Sequence, residues 1–372
     1  MLSIQGRCRV DPRTKDLVQR ILPNEIAVVN HIDLDEIAAE SLLRKRIKAL
    51  VNAAPSLSGR YPALGTAKLL SSGIPIIDMV DPKIMELEEG TVVEITDNKI
   101  RTPQQVFTGR RLDKQKLSRE LALAEKNFEF QLESFALNTF DYALKEMTSI
   151  FSPLALPPLK LSMKGKHVLI VVRGRDYKED LQAIAPYIKE TQPVLMGVDG
   201  GADALIEEGY RPDIILGDMD SVSDKALKLA KEIIVHAYPD GLAPGAERIE
   251  KLHLSYHKLP APGTSEDVAM LLAYESGAEL IVALGTHTNP VDFLNKGREG
   301  MASTFLVRLK VGTVLVDAKG VNKLYRQKLK GTYVAKLIAA ALLPVTVIAL
   351  IHPGLYQIIR LLWIRIRFVF GF

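Results

Sequence analysis

Two carboxylates two positions apart, Asp218 and Asp220, follow the apolar run Ile214 to Leu216 in the segment RPDIILGDMDSVS, residues 211–223. A buried strand that breaks at Gly217 and then delivers acids places them at the C-terminal edge of a sheet, where open α/β sheets hold ligands. Paired carboxylates at such an edge suit the holding of Mg²⁺ against a phosphate chain. Three further turns have related form. Arg173-Gly174 ends the apolar run HVLIVVRG, Asp199-Gly200-Gly201-Ala202-Asp203 joins a strand to a helix, and Thr264-Ser265-Glu266-Asp267 opens a helix. Gly200 and Gly201 let backbone approach a phosphate closely, with N–H groups of the next helix as donors. Asp218, Asp220 and Asp267 are therefore candidate catalytic metal ligands. Arg173, Gly174, Asp199, Gly200, Gly201 and Ser221 are candidates for the phosphate side of the same site.

These turns converge only if the elements between them alternate. From Lys166 onward they do: strand, helix, Gly-rich turn, helix, strand, with apolar runs also at EIIVHAY and AELIVALGTH. DYKEDLQAIAPYIKE reads as one helix. The alternation predicts a doubly wound, mostly parallel sheet over residues 153–320. Residues 1–110 read as a smaller α/β domain, with strands at IAVVNHIDLD and IKALVNA and acids Asp33 and Asp35 at a helix start. Between the two lies a stretch without Pro or Gly, residues 111–152, with apolar residues at three- and four-residue steps. It predicts a helix of roughly 60 Å, able to join domains or to form a dimeric coiled coil. SPLALPPLKL follows as a Pro-rich boundary.

Residues 321–372 differ in kind. Leu337 to Ile351 is apolar except for Thr346 and Pro344, and LYQIIRLLWIRIRFVFGF follows the break at His352-Pro353-Gly354. This reads as a transmembrane helix followed by an amphipathic or hairpin tail. Lys319, Lys323, Arg326, Lys328 and Lys330 precede it, which puts the bulk of the chain on the cytoplasmic side of a cell membrane.

The 372 residues are long enough for several cores, and a charged fraction of 25% with 47% hydrophobic residues is ordinary for globular protein. The net charge of +4 is small, and no basic patch with base-reading residues points to nucleic acid. One cysteine, Cys8, excludes an internal disulfide framework and fits a reducing compartment. His236, His253, His257 and His287 lack metal-ligand spacing and read as surface or satisfied core histidines. Neither a Walker A loop nor a Gly-x-Ser-x-Gly elbow occurs.

VDGGAD and PDIILGDMDS resemble the ADGGAN and PDxxxGDFDS signatures of thiamin pyrophosphokinase catalytic domains, and SEDVAMLLAYESGA resembles that family's Thr-Asp helix. The resemblance implies a diphosphoryl transfer from ATP to an alcohol, with Mg²⁺. It carries metal and phosphate roles onto Asp199, Asp218, Asp220 and Asp267, and a ligand role onto Asp292. Two elements depart from the family pattern. Ser265-Glu266-Asp267 stands for Lys-Thr-Asp, and the stretch Gly285 to Asp292 lacks the Arg and the final His of Gly-Gly-Arg-x-Asp-His. The family's all-β C-terminal domain is replaced by the apolar tail. Gly73-Ile74-Pro75 also resembles the swivelling domain of phosphoenolpyruvate-utilising enzymes, without a His between Leu57 and Asp78. Arg60 there reads as a solvated turn residue or an anion contact. Taken together, the order of parts resembles the SteA-like proteins, bacterial membrane-associated proteins of cell division and cell-wall control. That resemblance implies a regulatory protein that binds a nucleotide or other diphosphate with Mg²⁺. It is compatible with a homodimer and a membrane division partner; the alternative is an active diphosphokinase.

Overall fold

Short apolar runs that end in glycine or aspartate become the strands of two sheets in the computed structural model, which describes residues 3–324, 331–351 and 353–370. The chain forms two units, Met1–Val321 and Asn322–Phe372. The first opens with β1 (Ser3–Val10), α1 (Thr14–Arg20), β2 (Ile26–Val29), α2 (Glu36–Arg44), β3 (Ala49–Asn52), α3 (Gly65–Ser71) and β4 (Ile76–Asp78). The meander β5 (Val92–Thr96), β6 (Lys99–Arg101) and β7 (Val106–Thr108) follows, and β8 (Arg110–Arg111) then pairs with β4 at the far edge. Their sheet has the order β7-β6-β5-β1-β2-β3-β4-β8, with β1 to β4 parallel. One face packs on the three helices through Leu17, Ala39, Leu42 and Leu69. The other curls on itself, so that Ile95, Ile100 and Phe107 cover Val28, Val51 and Ile77. Asp35 caps α2 by accepting from the Ala38 N–H at 2.8 Å. Asp33 does not serve that helix start. It is buried, accepts from the Ser58 N–H and hydroxyl, and pairs with Arg60 at 3.0 Å.

Asp113 caps the long helix α4 (Lys114–Phe151), which has 38 residues. It runs along both sheets' surroundings: Asn127 donates to the Gly59 carbonyl at 2.8 Å, while Phe135 meets Phe293 at 6.2 Å.

The second sheet is built from β9 (His167–Val171), α5 (Tyr177–Ala183), α6 (Ala185–Thr191), β10 (Val194–Val198), α7 (Gly201–Glu207), β11 (Ile214–Gly217), α8 (Asp224–Leu229) and β12 (Glu232–Ala237). After these come α9 (Ala246–Lys251), β13 (His257–Pro260), α10 (Ser265–Glu275), β14 (Leu280–Leu284), α11 (Pro290–Leu294), α12 (Ala302–Val311) and β15 (Leu315–Asp317). Its seven strands lie in the order β13-β12-β11-β10-β9-β14-β15, all parallel. Strands buried on both faces need continuous apolar runs, and side chains alternate between the faces. Val168, Ile170, Met196 and Ile214 pack under α10 and α12, while Leu169, Val171, Leu195 and Leu284 pack under α5, α6 and α7. The chain leaves β9 toward β10 on one side and returns to β14 on the other. The strand order therefore reverses beside β9, which opens a crevice at the C-terminal ends of β9, β10 and β14.

The second unit holds α13 (Gly331–Ile351) and α14 (Pro353–Phe370). The expected transmembrane helix is overturned here. Among the described residues no helix is long and apolar enough to cross a membrane. Lys336 sits inside α13 and Pro344 and Thr346 interrupt its apolar run, leaving it short of the roughly 20 apolar residues that a crossing needs. α14 carries Gln357, Arg360, Arg365 and Arg367 along its 18 residues. Arg326, Lys328, Lys330 and the break at His352 lie outside the described residues.

Candidate functional site

The acidic turn after β11 is shaped by a buried methionine. Met219 is fully buried and sits in the left-handed region at φ 66°, so its neighbours Asp218 and Asp220 are pushed outward and exposed. A non-glycine residue there is uncommon and costs energy, so the surroundings must hold it. Asp199, the residue after β10, does so by accepting the Met219 N–H at 3.1 Å, and Arg248 from α9 donates to the Met219 carbonyl. Asp199 is itself left-handed, at φ 47°. Gly217 must be glycine, because a Cβ there would lie 1.9 Å from Asp199 Oδ1. The carboxyl of Asp199 thus rests against the backbone of the neighbouring strand.

The electrostatics follow from that packing. Burial and then the adjacent Asp218 carboxylate push Asp199 up to about 8, so at neutral pH it holds a proton. Among the described residues neither Asp218 nor Asp220 has an ion-pair partner; Asp218 accepts the Asp220 N–H at 3.0 Å and shares a side-chain hydrogen bond with the protonated Asp199. The next turn is tied in when the Gly200 N–H donates to the Ser221 hydroxyl at 3.3 Å. Gly201 starts α7 with no room for a side chain, since a Cβ would lie 1.9 Å from the Val171 carbonyl oxygen. Gly174 has the same constraint against Gly285. The Arg173 side chain lies over Gly200 and pairs with Glu207 at 3.0 Å. Arg173, Gly174, Asp199, Gly200, Gly201, Asp218, Asp220 and Ser221 therefore share one edge of the sheet. It offers exposed carboxylates, a protonated acid and tight glycine turns.

Asp267 and Asp292 are placed differently. Asp267 is the third residue of α10 and closes a capping box with Thr264. Its Oδ2 accepts from the Thr264 N–H at 3.0 Å, the Ser303 hydroxyl at 2.9 Å and the Thr304 hydroxyl at 3.0 Å. Oδ1 is buried without a partner among the described residues, and burial raises the acid's pKa. Asp292 is the third residue of α11 and pairs with Lys319 at 2.9 Å. Among the described residues no group of three or more His, Cys, Asp or Glu side chains is arranged to hold a metal ion. The donor set that best fits Mg²⁺ is the exposed pair Asp218 and Asp220 with Asp199 behind it, because hard oxygen ligands beside open space suit an ion that keeps several waters.

Sequence reasoning missed a second cluster. Glu266, next to Asp267, is buried; its Oε1 lies 2.5 Å from His287 Nδ1, and its Oε2 accepts the His287 N–H at 3.0 Å. Lys296 Nζ lies 3.6 Å from the same carboxylate. Burial would raise the Glu266 pKa, but the His287 hydrogen bond and the charges of His287 and Lys296 outweigh it and bring the acid down to about 2. Glu266 and His287 stand at the two elements that depart from the thiamin pyrophosphokinase pattern, and the fold joins them to each other.

Residues 185–240 match the family model described as thiamin pyrophosphokinase, catalytic domain, and residues 319–370 match the SteA-like C-terminal domain. The first match spans Asp199, Asp218 and Asp220 and ends before Asp267. No curated protein matches the chain. Among solved structures, thiamine pyrophosphokinase from Bacillus subtilis is similar at 24% identity over 41% of this chain and 59% of that chain, with a TM-score of 0.26. The chain thus spans about three fifths of that relative. A 3-isopropylmalate dehydratase from Methanocaldococcus jannaschii matches at 12% identity over 36% of this chain and 96% of that chain, with a TM-score of 0.23. The chain therefore carries a thiamin-pyrophosphokinase-like catalytic region and a SteA-like C-terminal region.

Proposed function

We propose that this protein is a SteA-like regulator of bacterial cell division and the cell wall, whose kinase-like region binds a nucleotide or another diphosphate with Mg²⁺. One observation carries the ligand part. Asp199 and Asp218 adjoin at a sheet edge, Asp220 follows in the same exposed turn, and among the described residues no cation pairs with them. Two exposed carboxylates in that state suit a cation from solution, and the Gly200-Gly201 turn supplies the backbone on which a phosphate can rest. Mg²⁺ would neutralise phosphate charge there. Asp218 and Asp220 would hold the ion, Asp199 would yield its proton as the ion binds, and Arg173 would reach the phosphates by releasing Glu207. Work at the cytoplasmic face of the cell membrane is part of the reading, through contact of α14 with the lipid surface. In support, Arg360, Trp363, Arg365 and Phe368 are exposed on one amphipathic helix.

Titration calorimetry of the full-length protein with ATP, GTP and inorganic pyrophosphate, with and without Mg²⁺, tests the reading. Mg²⁺-dependent binding that Asp218→Asn removes is the expected result. Absence of binding by all three ligands overturns the ligand part.

A second reading, an active ATP-dependent diphosphokinase, is favoured by the match of residues 185–240 to a catalytic-domain model. In it the same acids position the phosphates for attack by an alcohol. Release of AMP from ATP in the presence of thiamin distinguishes it, and a wild-type protein that binds ATP without releasing AMP excludes thiamin as acceptor.

A further inference from the structure

α4 has two apolar faces. One is buried against its own unit through Leu117, Ala124, Phe135, Ala143 and Ile150. The other is exposed, and its large apolar residues Leu137, Phe140, Leu144, Met147 and Phe151 recur at alternating steps of three and four. Leu123 and Phe130 continue the same seven-residue repeat toward the N-terminus and are also exposed. A strict a/d repeat is the seam of a coiled coil, a narrower pattern than the stripe a helix needs to sit on a globular surface. A helix already packed on one side has no need of a second such seam. α12 widens it: Phe305 meets Phe140 edge-on at 5.9 Å, and Leu309 is exposed beside it.

We propose that this face, the C-terminal half of α4 with the edge of α12, is the twofold interface between two copies of the chain, with the two α4 helices antiparallel. Two observations select that occupant. The first is area. Leu137, Phe140, Leu144, Met147, Phe151 and Leu309 are between 44% and 74% exposed. At about 200 Å² per large side chain they present on the order of 700 Å², close to the ~800 Å² that each partner contributes to a standard interface. The second is charge. Lys126 and Glu133 occupy the remaining core positions of the repeat, in its N-terminal half. A parallel, in-register pair would set each against its own copy, like charge on like. An antiparallel pair that sets Leu144 against Met147 and Phe140 against Phe151 leaves Lys126 and Glu133 outside the overlap. A twofold axis makes the patch complementary to itself.

The mass of the full-length protein in mild detergent, by light scattering coupled to size exclusion and by native mass spectrometry, tests the proposal at micromolar concentrations. The wild type is expected to be a dimer. Leu144→Glu is expected to weaken it at least 100-fold and to run as a monomer. Leu123→Glu, on the same seam but outside the overlap, is expected to remain a dimer. Both sites are exposed, and unchanged thermal melts by circular dichroism establish that both variants fold. A monomeric wild type at tens of micromolar, or a dimer that survives Leu144→Glu, overturns the interface. Equal dissociation by Leu123→Glu overturns the antiparallel pairing.

Discussion

Two groups of acids stand at the C-terminal ends of the strands of the seven-stranded sheet, and they are satisfied in opposite ways. At the β10–β11 edge, Asp218 and Asp220 are exposed without an ion pair among the described residues, and Asp199 keeps a proton because it is buried and Asp218 is beside it. At the α10–β14 edge, Glu266 is matched by His287 and Lys296, Asp292 by Lys319, and one oxygen of Asp267 takes three donors. The difference lies in what the fold already provides. A carboxylate whose charge is met by protein groups belongs to the structure, whereas one left facing its like is a site for a cation. An acid at a strand end becomes evidence of ligand binding only after its partners are known.

The sharpest way to break this contrast is to remove the matched charge. Glu266→Gln leaves His287 and Lys296 without their buried anion and is expected to destabilise the fold by roughly 3 kcal/mol, read by urea unfolding. Mg²⁺-dependent binding at the β10–β11 edge should persist in the folded fraction. The sign of the pH dependence follows from the depressed pKa. The contribution of Glu266 is full above the unfolded value near 4.3 and is lost as pH falls toward about 2. A variant as stable as the wild type would place Glu266 with the ligand-facing acids instead.

At the other edge the expectation is reversed. Asp218→Asn should cost little stability, within about 0.5 kcal/mol, while weakening Mg²⁺·nucleotide binding at least 30-fold in calorimetry. Asp199 adds a pH signature. Its folded pKa of about 8 lies far above the unfolded value near 3.9. Its contribution to stability is therefore full below pH 3.9 and declines as pH rises through 8. Mg²⁺ binding must displace that proton, so affinity should rise by up to tenfold per pH unit from 6 to 8 and then level off. Asp199→Asn should remove the slope. A wild-type affinity independent of pH would separate Asp199 from the metal.

Much of this was legible in the sequence because a central parallel strand writes itself as an uninterrupted apolar run. β9, β10, β11, β12 and β14 can each be read that way, as can the turns that end them. β13 could not, because it is an edge strand in which only Leu259 is buried, too little to make a pattern. The segment read as one helix from Asp176 divides at Ile184, just before Pro186, into α5 and α6. Asp218 and Asp220 announce themselves by adjacency. Glu266 and His287 are 21 residues apart and meet only because β14 crosses back beside β9, so the histidine looked like any other. Arg248 is hidden in the same way: nothing in its own segment says that it fastens the Met219 carbonyl 29 residues away. At the C-terminus the apolar run from Leu337 to Ile351 looks like a span in the sequence, but Lys336 bounds it and Pro344 and Thr346 stand within it.

The smallest expected effect probes the middle of the contrast. Asp292 is the one acid of the α10–β14 edge whose partner comes from the end of the sheet domain. Lys319 reaches it at 2.9 Å, and both side chains are about one-fifth exposed. Solvent screens such a pair, and the Asp292 carboxylate also accepts from the Asn289 amide at 2.8 Å. Lys319→Ala should therefore cost no more than about 1 kcal/mol. It should free a carboxylate beside β14 without creating a Mg²⁺ site, because Asp292 would then stand alone and a lone acid seldom holds Mg²⁺ without a second carboxylate or a phosphate. Calorimetry on the variant checks this. A second Mg²⁺-binding event would show that the two edges differ only in how many lysines they have, whereas its absence would show that the arrangement of Asp199, Asp218 and Asp220 distinguishes the candidate site.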